Sequence, residues 1–164
     1  MQKNVLAIVL FLVAASCAEP FKNDPTKGDQ PFDGLTFKQI KGLVEKAQKD
    51  KETKIDGSDN KNNQIPQGTI VCYVTNDGRY GKLKVLEYGY NLAVKWVTYD
   101  KEGRVFSKGD RLVVKGTWQY DLDYGVEGDK GKSNVDFWWE QVDKTVRHLV
   151  FRNGAVLTTY REKK

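Results

Sequence analysis

Two adjacent tryptophans in the stretch VDFWWEQV (residues 135–142) are the first residues whose types could support binding chemistry. Neighbouring side chains of a β-strand point to opposite faces of the sheet, so the two rings cannot share one face. Trp138 then falls on the same face as Asp136 and Glu140. An indole offers an apolar platform for a sugar ring, and flanking carboxylates accept hydrogen bonds from its hydroxyl groups. The pattern predicts a ligand-binding surface formed by Trp138, Asp136 and Glu140.

Two other interpretations of Trp138 remain open. The ring could be covered by the N-terminal helix or by a loop, which would make it a structural residue, as buried aromatic side chains commonly are. A helix continuing through WEQVDK (residues 139–144) would also change which side chains share a face. Both possibilities depend on how the segment folds.

Asp121 and Asp123 occupy alternate positions and are followed by Gly125, Glu127 and Asp129. Carboxylates spaced in this way suit a hard cation such as calcium. The EF-hand spacing is absent, however, no bidentate glutamate closes the loop, and lysines 130 and 132 follow directly. We therefore interpret these acids as a solvated strand face and predict no metal site and no cofactor.

The same carboxylates could instead be catalytic. Asp121 and Asp123, together with Glu140, would resemble the acid pair of a glycosidase if they stood about 5–10 Å apart across a cleft. Nothing in the sequence places them across a cleft. Hydrolysis of an envelope polymer through these carboxylates therefore stays an alternative.

Few other residues could carry catalysis. His148 is the single histidine of the chain, which excludes a zinc site built from several histidines. It lies in an alternating pattern typical of an ordinary sheet residue. Cys72 alternates with Ile70 and Val74, as a buried structural cysteine does. Phosphate-binding glycine loops and CxxC motifs are absent, so the sequence predicts a binding protein in preference to an enzyme.

The pattern of apolar residues divides the chain into a helix and a β region. Residues 35–164 are predicted to form one globular domain. Its helix spans about residues 36–51, with Thr36 and Gln39 forming a capping box. Residues 52–68 are polar and rich in turn formers, which predicts a loop. From residue 69 the period changes to two, and the β region runs to residue 164.

Turn signals separate the predicted strands. An Asn-Asp-Gly turn at residues 76–78 and an Asn-Gly turn at 153–154 indicate hairpins. The longest alternating run is 111–124, in which even positions are largely apolar and Gly116 marks a bend. We predict a mainly β fold of about seven or eight antiparallel strands, arranged as a sandwich or a barrel, with one N-terminal amphipathic helix.

The leader of the chain predicts export. Residues 5–16 form an apolar run of twelve, too short to span a bilayer core about 30 Å thick, so residues 1–16 are interpreted as a signal peptide. Ala14-Ala15-Ser16-Cys17 resembles a bacterial lipobox, in which the cysteine is lipidated and becomes N-terminal. Residues 17–34, which are polar and contain three prolines, would be a flexible tether. Cleavage after Ala18 by the small-x-small rule is the alternative, and it gives a secreted or periplasmic protein.

Charge narrows the class of partner. The net charge is +5, or +4 without Lys3, and positive and negative residues are interspersed with no dense basic block. Such a chain is no candidate for nucleic-acid binding. The sequence thus predicts a non-catalytic bacterial cell-envelope lipoprotein, anchored in the membrane through lipid at Cys17. Its β domain would bind a glycan or an envelope protein; a structural or inhibitory role is a further alternative.

Overall fold

The computed structural model describes residues 29–50, 52–128 and 133–161. Within these ranges the chain forms two helices and ten strands, so the strand count exceeds the seven or eight predicted. The elements, in chain order, are α1 (Gln30–Gly34), α2 (Phe37–Ala47), β1 (Lys54–Asp56), β2 (Ile70–Val74), β3 (Tyr80–Glu87), β4 (Leu92–Tyr99), β5 (Val105–Val114), β6 (Gln119–Asp121), β7 (Val126–Gly128), β8 (Phe137–Gln141), β9 (Arg147–Phe151) and β10 (Val156–Tyr160).

The strands form two antiparallel sheets of five strands each. Sheet A has the order β1–β9–β8–β6–β7, and sheet B has the order β10–β2–β3–β4–β5. Every paired neighbour is antiparallel. The prediction of a mainly β, antiparallel fold is confirmed, and of its two forms the structure shows the sandwich.

The inner faces of the two sheets enclose one hydrophobic core. Alternate residues of each strand supply it, as the period of two requires. From sheet A come Ile55, Tyr120, Leu122, Phe137, Trp139 and Leu149, and from sheet B come Val71, Tyr73, Leu83, Val85, Leu92, Val94, Trp96, Val114 and Leu157. Trp139 is the largest of the side chains that are completely buried.

The predicted strand at 111–124 is two strands in the structure. β5 ends at Val114, and β6 begins at Gln119 in the other sheet. Between them Thr117 adopts a positive φ of 67°, and a Cβ on Gly116 would lie 2.7 Å from the carbonyl oxygen of Tyr90. Leu112, Val114, Tyr120 and Leu122 still face one core because both sheets pack against it, whereas Trp118 and Tyr124 are exposed. Alternation alone could not show where the chain changes sheets.

Helix α2 covers the outer face of sheet B. Its capping box is confirmed: the Thr36 amide donates to Gln39 Oε1 at 2.9 Å, and the Gln39 amide donates to Thr36 Oγ1 at 3.4 Å. Ile40 and Val44 of the helix are buried against a cluster that includes Cys72. Cys72 is a free thiol, and burial raises its pKa to about 12, which keeps it protonated and unreactive.

The end of the predicted tether is ordered in the structure. Helix α1 lies within residues 17–34 and buries Phe32. The buried ammonium of Lys82, on β3, donates to the carbonyls of Phe32 and Leu35. Lys84 Nζ lies 2.7 Å from the Asp29 carboxylate. Lys82 thus satisfies carbonyls that a short helix leaves unpaired, and Lys84 binds the residue before the helix; composition alone could not show either contact.

Two aromatic side chains of sheet B each lie over a glycine of the neighbouring strand. Tyr73 on β2 pairs with Gly81 on β3, and Trp96 on β4 pairs with Gly109 on β5. A Cβ on Gly81 would lie 2.3 Å from Tyr73 Cζ, and one on Gly109 would lie 2.1 Å from Trp96 Cζ3. Only glycine leaves room for these rings.

Neither helix of the described chain has the length and apolar character needed to cross a membrane.

Candidate functional site

The outer face of sheet A carries the residues around Trp138. Trp138 on β8 pairs with Val150 on β9 and with Gln119 on β6. The next row of the same face joins Glu140 to His148. Each of these five side chains is partly exposed. The result is a sheet face with one indole among hydrogen-bonding groups.

Glu140 and His148 form a pair across the two strands. His148 Nδ1 lies 3.0 Å from Glu140 Oε2. Asp56 on β1 stands opposite His148 in the register, on its other side. The one histidine of the chain therefore lies between two carboxylates. This arrangement orients the imidazole and is missed when β8 is considered without its partner strands.

Trp138 also contacts a cation. The guanidinium carbon of Arg152, just after β9, lies 4.9 Å from the centre of its ring, which is a cation–π geometry. Trp138 Nε1 and Arg152 Nε are both buried, and neither has a hydrogen-bond partner among the described residues. Two donors on this face are therefore left without an acceptor.

Asp136, the third residue predicted for this surface, lies elsewhere. It precedes β8 and has no exposed surface. Its Oδ1 accepts from the amide of Asn76 at 2.7 Å, and its Oδ2 accepts from the amide of Leu122 at 2.7 Å. The structure thus brings Trp138 and Glu140 together and directs Asp136 into the protein, because two main-chain donors hold its carboxylate there.

Asp136 belongs to a group of three buried carboxylates. An oxygen of each of Asp121, Asp123 and Asp136 lies within 4.8 Å of the others, and we call these residues the acid cluster. Their exposed fractions are 3%, 1% and 0%. The prediction that Asp121 and Asp123 lie on a solvated strand face is therefore wrong, because both side chains are buried. Asp121 Oδ1 accepts from the amides of Asp123 at 2.8 Å and Tyr124 at 3.2 Å, which turns the chain back after β6.

Burial governs the protonation of the acid cluster. It raises the pKa of all three carboxyl groups, because the charged form loses its hydration. The pKa of Asp136 reaches about 7, since burial and the charges of Asp123 and Asp121 outweigh its two main-chain hydrogen bonds. The cluster therefore holds a proton readily at neutral pH.

Arg79 is the cation that the structure places beside the acid cluster. Its Nη1 lies 3.1 Å from Asp123 Oδ2 and 3.0 Å from Asp77 Oδ2, so two carboxylates share it. Its guanidinium also lies 4.2 Å from the ring centre of Phe106. The other oxygen of Asp123, Oδ1, is buried and makes no hydrogen bond of normal geometry in the described chain, although the Thr75 side chain acts against the rise in the pKa of Asp123. Sequence reasoning missed Arg79 because it comes from the β2–β3 hairpin, distant in sequence from all three acids.

The remaining sequence candidates are separated from the acid cluster. Glu127, on β7, lies 2.9 Å from Lys115 Nζ and also accepts from the Tyr120 hydroxyl at 3.2 Å. Asp129 and Cys17 lie outside the described residues.

Searches of protein-family models, curated proteins and solved structures found no match to this chain.

Proposed function

We propose that the protein is a non-catalytic lipoprotein of the bacterial cell envelope that binds a glycan on the outer face of sheet A. The observation that carries the proposal is the position of Trp138: a partly exposed indole near the centre of a sheet face on which Gln119, Glu140 and His148 can hydrogen-bond. Helix α2 packs on sheet B, so this face is the one on which a flat ligand could lie.

The chemistry of the face suits a carbohydrate. A sugar ring has apolar C–H faces that stack on an indole and hydroxyl groups around its edge. Gln119 and the Glu140–His148 pair supply acceptors and donors on either side of Trp138. Arg152 adds a charged guanidinium, from which a sugar hydroxyl or a sugar carboxylate could accept hydrogen bonds. An envelope protein as ligand is the second possibility, since aromatic and arginine side chains also anchor protein interfaces.

The carboxylates give the hydrolase alternative less support. Asp121 and Asp123 are buried and bonded to main-chain amides and to Arg79, where a polymer could not reach them. Glu140 lies on the outer face of sheet A, away from these two acids, and is paired with His148. The three acids are therefore not arranged as a catalytic pair flanking a cleft.

We expect Trp138→Ala to weaken glycan binding about tenfold or more, because the stacking platform is lost. The measurement is binding of the purified domain to an array of bacterial surface polysaccharides and host glycans, with titration calorimetry on the strongest hit. Trp118→Ala is the matched control, since Trp118 is 44% exposed and also lies beneath a cation, Lys115, at 5.3 Å. Equal binding by wild type and Trp138→Ala would contradict the assignment of this face.

The anchoring part of the proposal has its own test. We expect mass spectrometry of the protein expressed in a bacterium with its leader to show a mature N-terminus at Cys17 that carries acyl chains. Cys17→Ala should then release the protein from the membrane fraction, because the proposed acyl chains are all attached through Cys17. An unmodified N-terminus at Glu19 would show cleavage after Ala18 instead.

A further inference from the structure

We propose that the acid cluster is a calcium site, in which Asp121, Asp123 and Asp136 each supply a carboxylate oxygen. Calcium binds oxygen ligands at about 2.3–2.6 Å, so two ligands on opposite sides of the ion stand about 5 Å apart. The oxygens of the cluster lie within 4.8 Å of one another, which is the separation that one ion can bridge. This inference does not depend on the proposed glycan site.

The acid cluster carries more negative charge than the described residues around it balance. Three buried carboxylates share the interior with one described guanidinium, that of Arg79, which also pairs with Asp77. A buried carboxylate without a counter-charge is unfavourable by several kcal/mol, so a protein pairs it, protonates it or binds a cation. A divalent cation would balance the charge that Arg79 leaves.

One buried oxygen of Asp123 lacks a hydrogen-bond donor in the described chain. Asp123 is 1% exposed, and its Oδ1 makes no hydrogen bond of normal geometry within the described residues. A carboxylate oxygen that has lost its hydration and gained no donor is rare in folded proteins. A bound cation supplies the missing partner. The other oxygen of Asp123 is already used by Arg79 at 3.1 Å.

The hydrogen bonds of the other two acids hold them ready as ligands. Main-chain amides fix both oxygens of Asp136 and one oxygen of Asp121. Each oxygen of Asp136 accepts one of these bonds and keeps a second lone pair for a metal. Asp121 Oδ1 accepts two amides, so its Oδ2, which among the described residues accepts only from Asn134 Nδ2 at 3.4 Å, is the oxygen it can offer. Such supporting bonds orient ligands before the ion arrives.

The dry environment favours calcium over magnesium. Magnesium gives up water reluctantly and usually keeps several water ligands, whereas calcium accepts irregular sets of protein oxygens. Main-chain carbonyls or a few waters would complete the shell. Bound calcium would join the β2–β3 hairpin, through Asn76, to the turn after β6 and to the start of β8. Its expected effect is therefore stabilisation of this end of the sandwich.

The test uses the protein freed of metal with a chelator and then titrated with calcium chloride or magnesium chloride. We expect calcium to raise the melting temperature and to give saturable heat of binding, with magnesium clearly weaker. Asp123→Asn should weaken calcium binding at least about tenfold, because it removes a charged ligand. Asp110→Asn is the matched control, since the Asp110 side chain is 98% exposed.

A second variant keeps the test decisive if Asp123→Asn folds poorly. Arg79→Gln removes the competing cation, so we expect this variant to bind calcium several-fold more tightly than wild type. Without calcium the variant should be less stable than wild type, and added calcium should restore its stability. Terbium, which takes the same oxygen ligands, should luminesce on excitation of the protein's tryptophans, because Trp96 lies against Gly125, two residues after Asp123. Calcium should displace it.

Three outcomes would overturn the calcium site: no calcium response in wild type, an equal response in Asp123→Asn, or an Arg79→Gln variant that calcium does not stabilise. The last outcome would show that the acid cluster does not bind calcium even without its competing cation, and that protons neutralise it instead.

Discussion

Trp139→Ala is expected to lower the free energy of unfolding by about 3–5 kcal/mol, as loss of a large buried aromatic does. Trp139 has no exposed surface and lies between the two sheets. Its indole Nε1 donates to the carbonyls of Gly89 at 3.3 Å and Tyr90 at 3.1 Å. A Cβ on Gly57 would lie 2.6 Å from its Cη2, so the ring fills the space up to the backbone of the β1 end. Alanine would leave a cavity and two carbonyls without this donor.

The measurement is urea unfolding of wild type and variants. Trp118→Ala, at an exposed tryptophan, should lower the free energy of unfolding by less than about 1 kcal/mol. Trp138→Ala should lie between the two and should be the variant that loses ligand binding. Neighbouring tryptophans would then divide into one needed for stability and one needed for binding. Similar losses of stability for Trp139→Ala and Trp118→Ala would show that Trp139 is not a core residue.

Gly81→Ala is the second change with a large expected effect, a loss of about 3 kcal/mol or more of unfolding free energy through overpacking. The buried ring of Tyr73 crosses Gly81 to reach the next strand, where its hydroxyl lies 2.7 Å from Thr98 Oγ1. Thr98 in turn donates to the carbonyl of Leu122 at 2.6 Å. A methyl group at Gly81 would push the ring away from Thr98 and so disturb the link that Thr98 makes to Leu122 of the other sheet.

Gly42→Ala is the control for the same chemical change. Gly42 is exposed in helix α2, and a Cβ there would have no atom within 4 Å. Alanine in a helix interior is favoured over glycine by about 0.5–1 kcal/mol, so Gly42→Ala should raise stability. The midpoints of thermal and urea unfolding should therefore rise for Gly42→Ala and fall for Gly81→Ala. A neutral Gly81→Ala would mean that Tyr73 repacks without loss.

Patterns within single elements carried most of the fold prediction. The capping box of α2 uses two residues three positions apart, and the hairpin turns use adjacent residues, so both are visible in the sequence. The change to a period of two after residue 68 likewise indicated where the β region begins. It could not show which side of β2 faces the core, because β2 is buried on both faces. Strands β1 and β7, of three residues each, were missed because they exist through pairing with β9 and β6 and have little pattern of their own.

The candidate site was harder to predict because its contacts join distant segments. Strand parity correctly describes β8 from Phe137 onward, where Trp138 and Glu140 share a face. Asp136 lies one position before the strand, and its orientation is set by the amide of Asn76, 60 residues away in sequence. Arg152 and His148 reach the site from β9 and the turn after it. No local pattern contains these pairings.

The attachment of Asp29 to Lys84 has a consequence for how the molecule would stand at a membrane. Lys84 is on the outer face of sheet B, so the chain leaves the domain on that side. If Cys17 carries the proposed lipid, residues 18–28 allow a reach of about 40 Å at full extension. The attachment point would then lie on the side of sheet B and the helices, opposite the face that carries Trp138. The binding face would thus stay clear of its own tether.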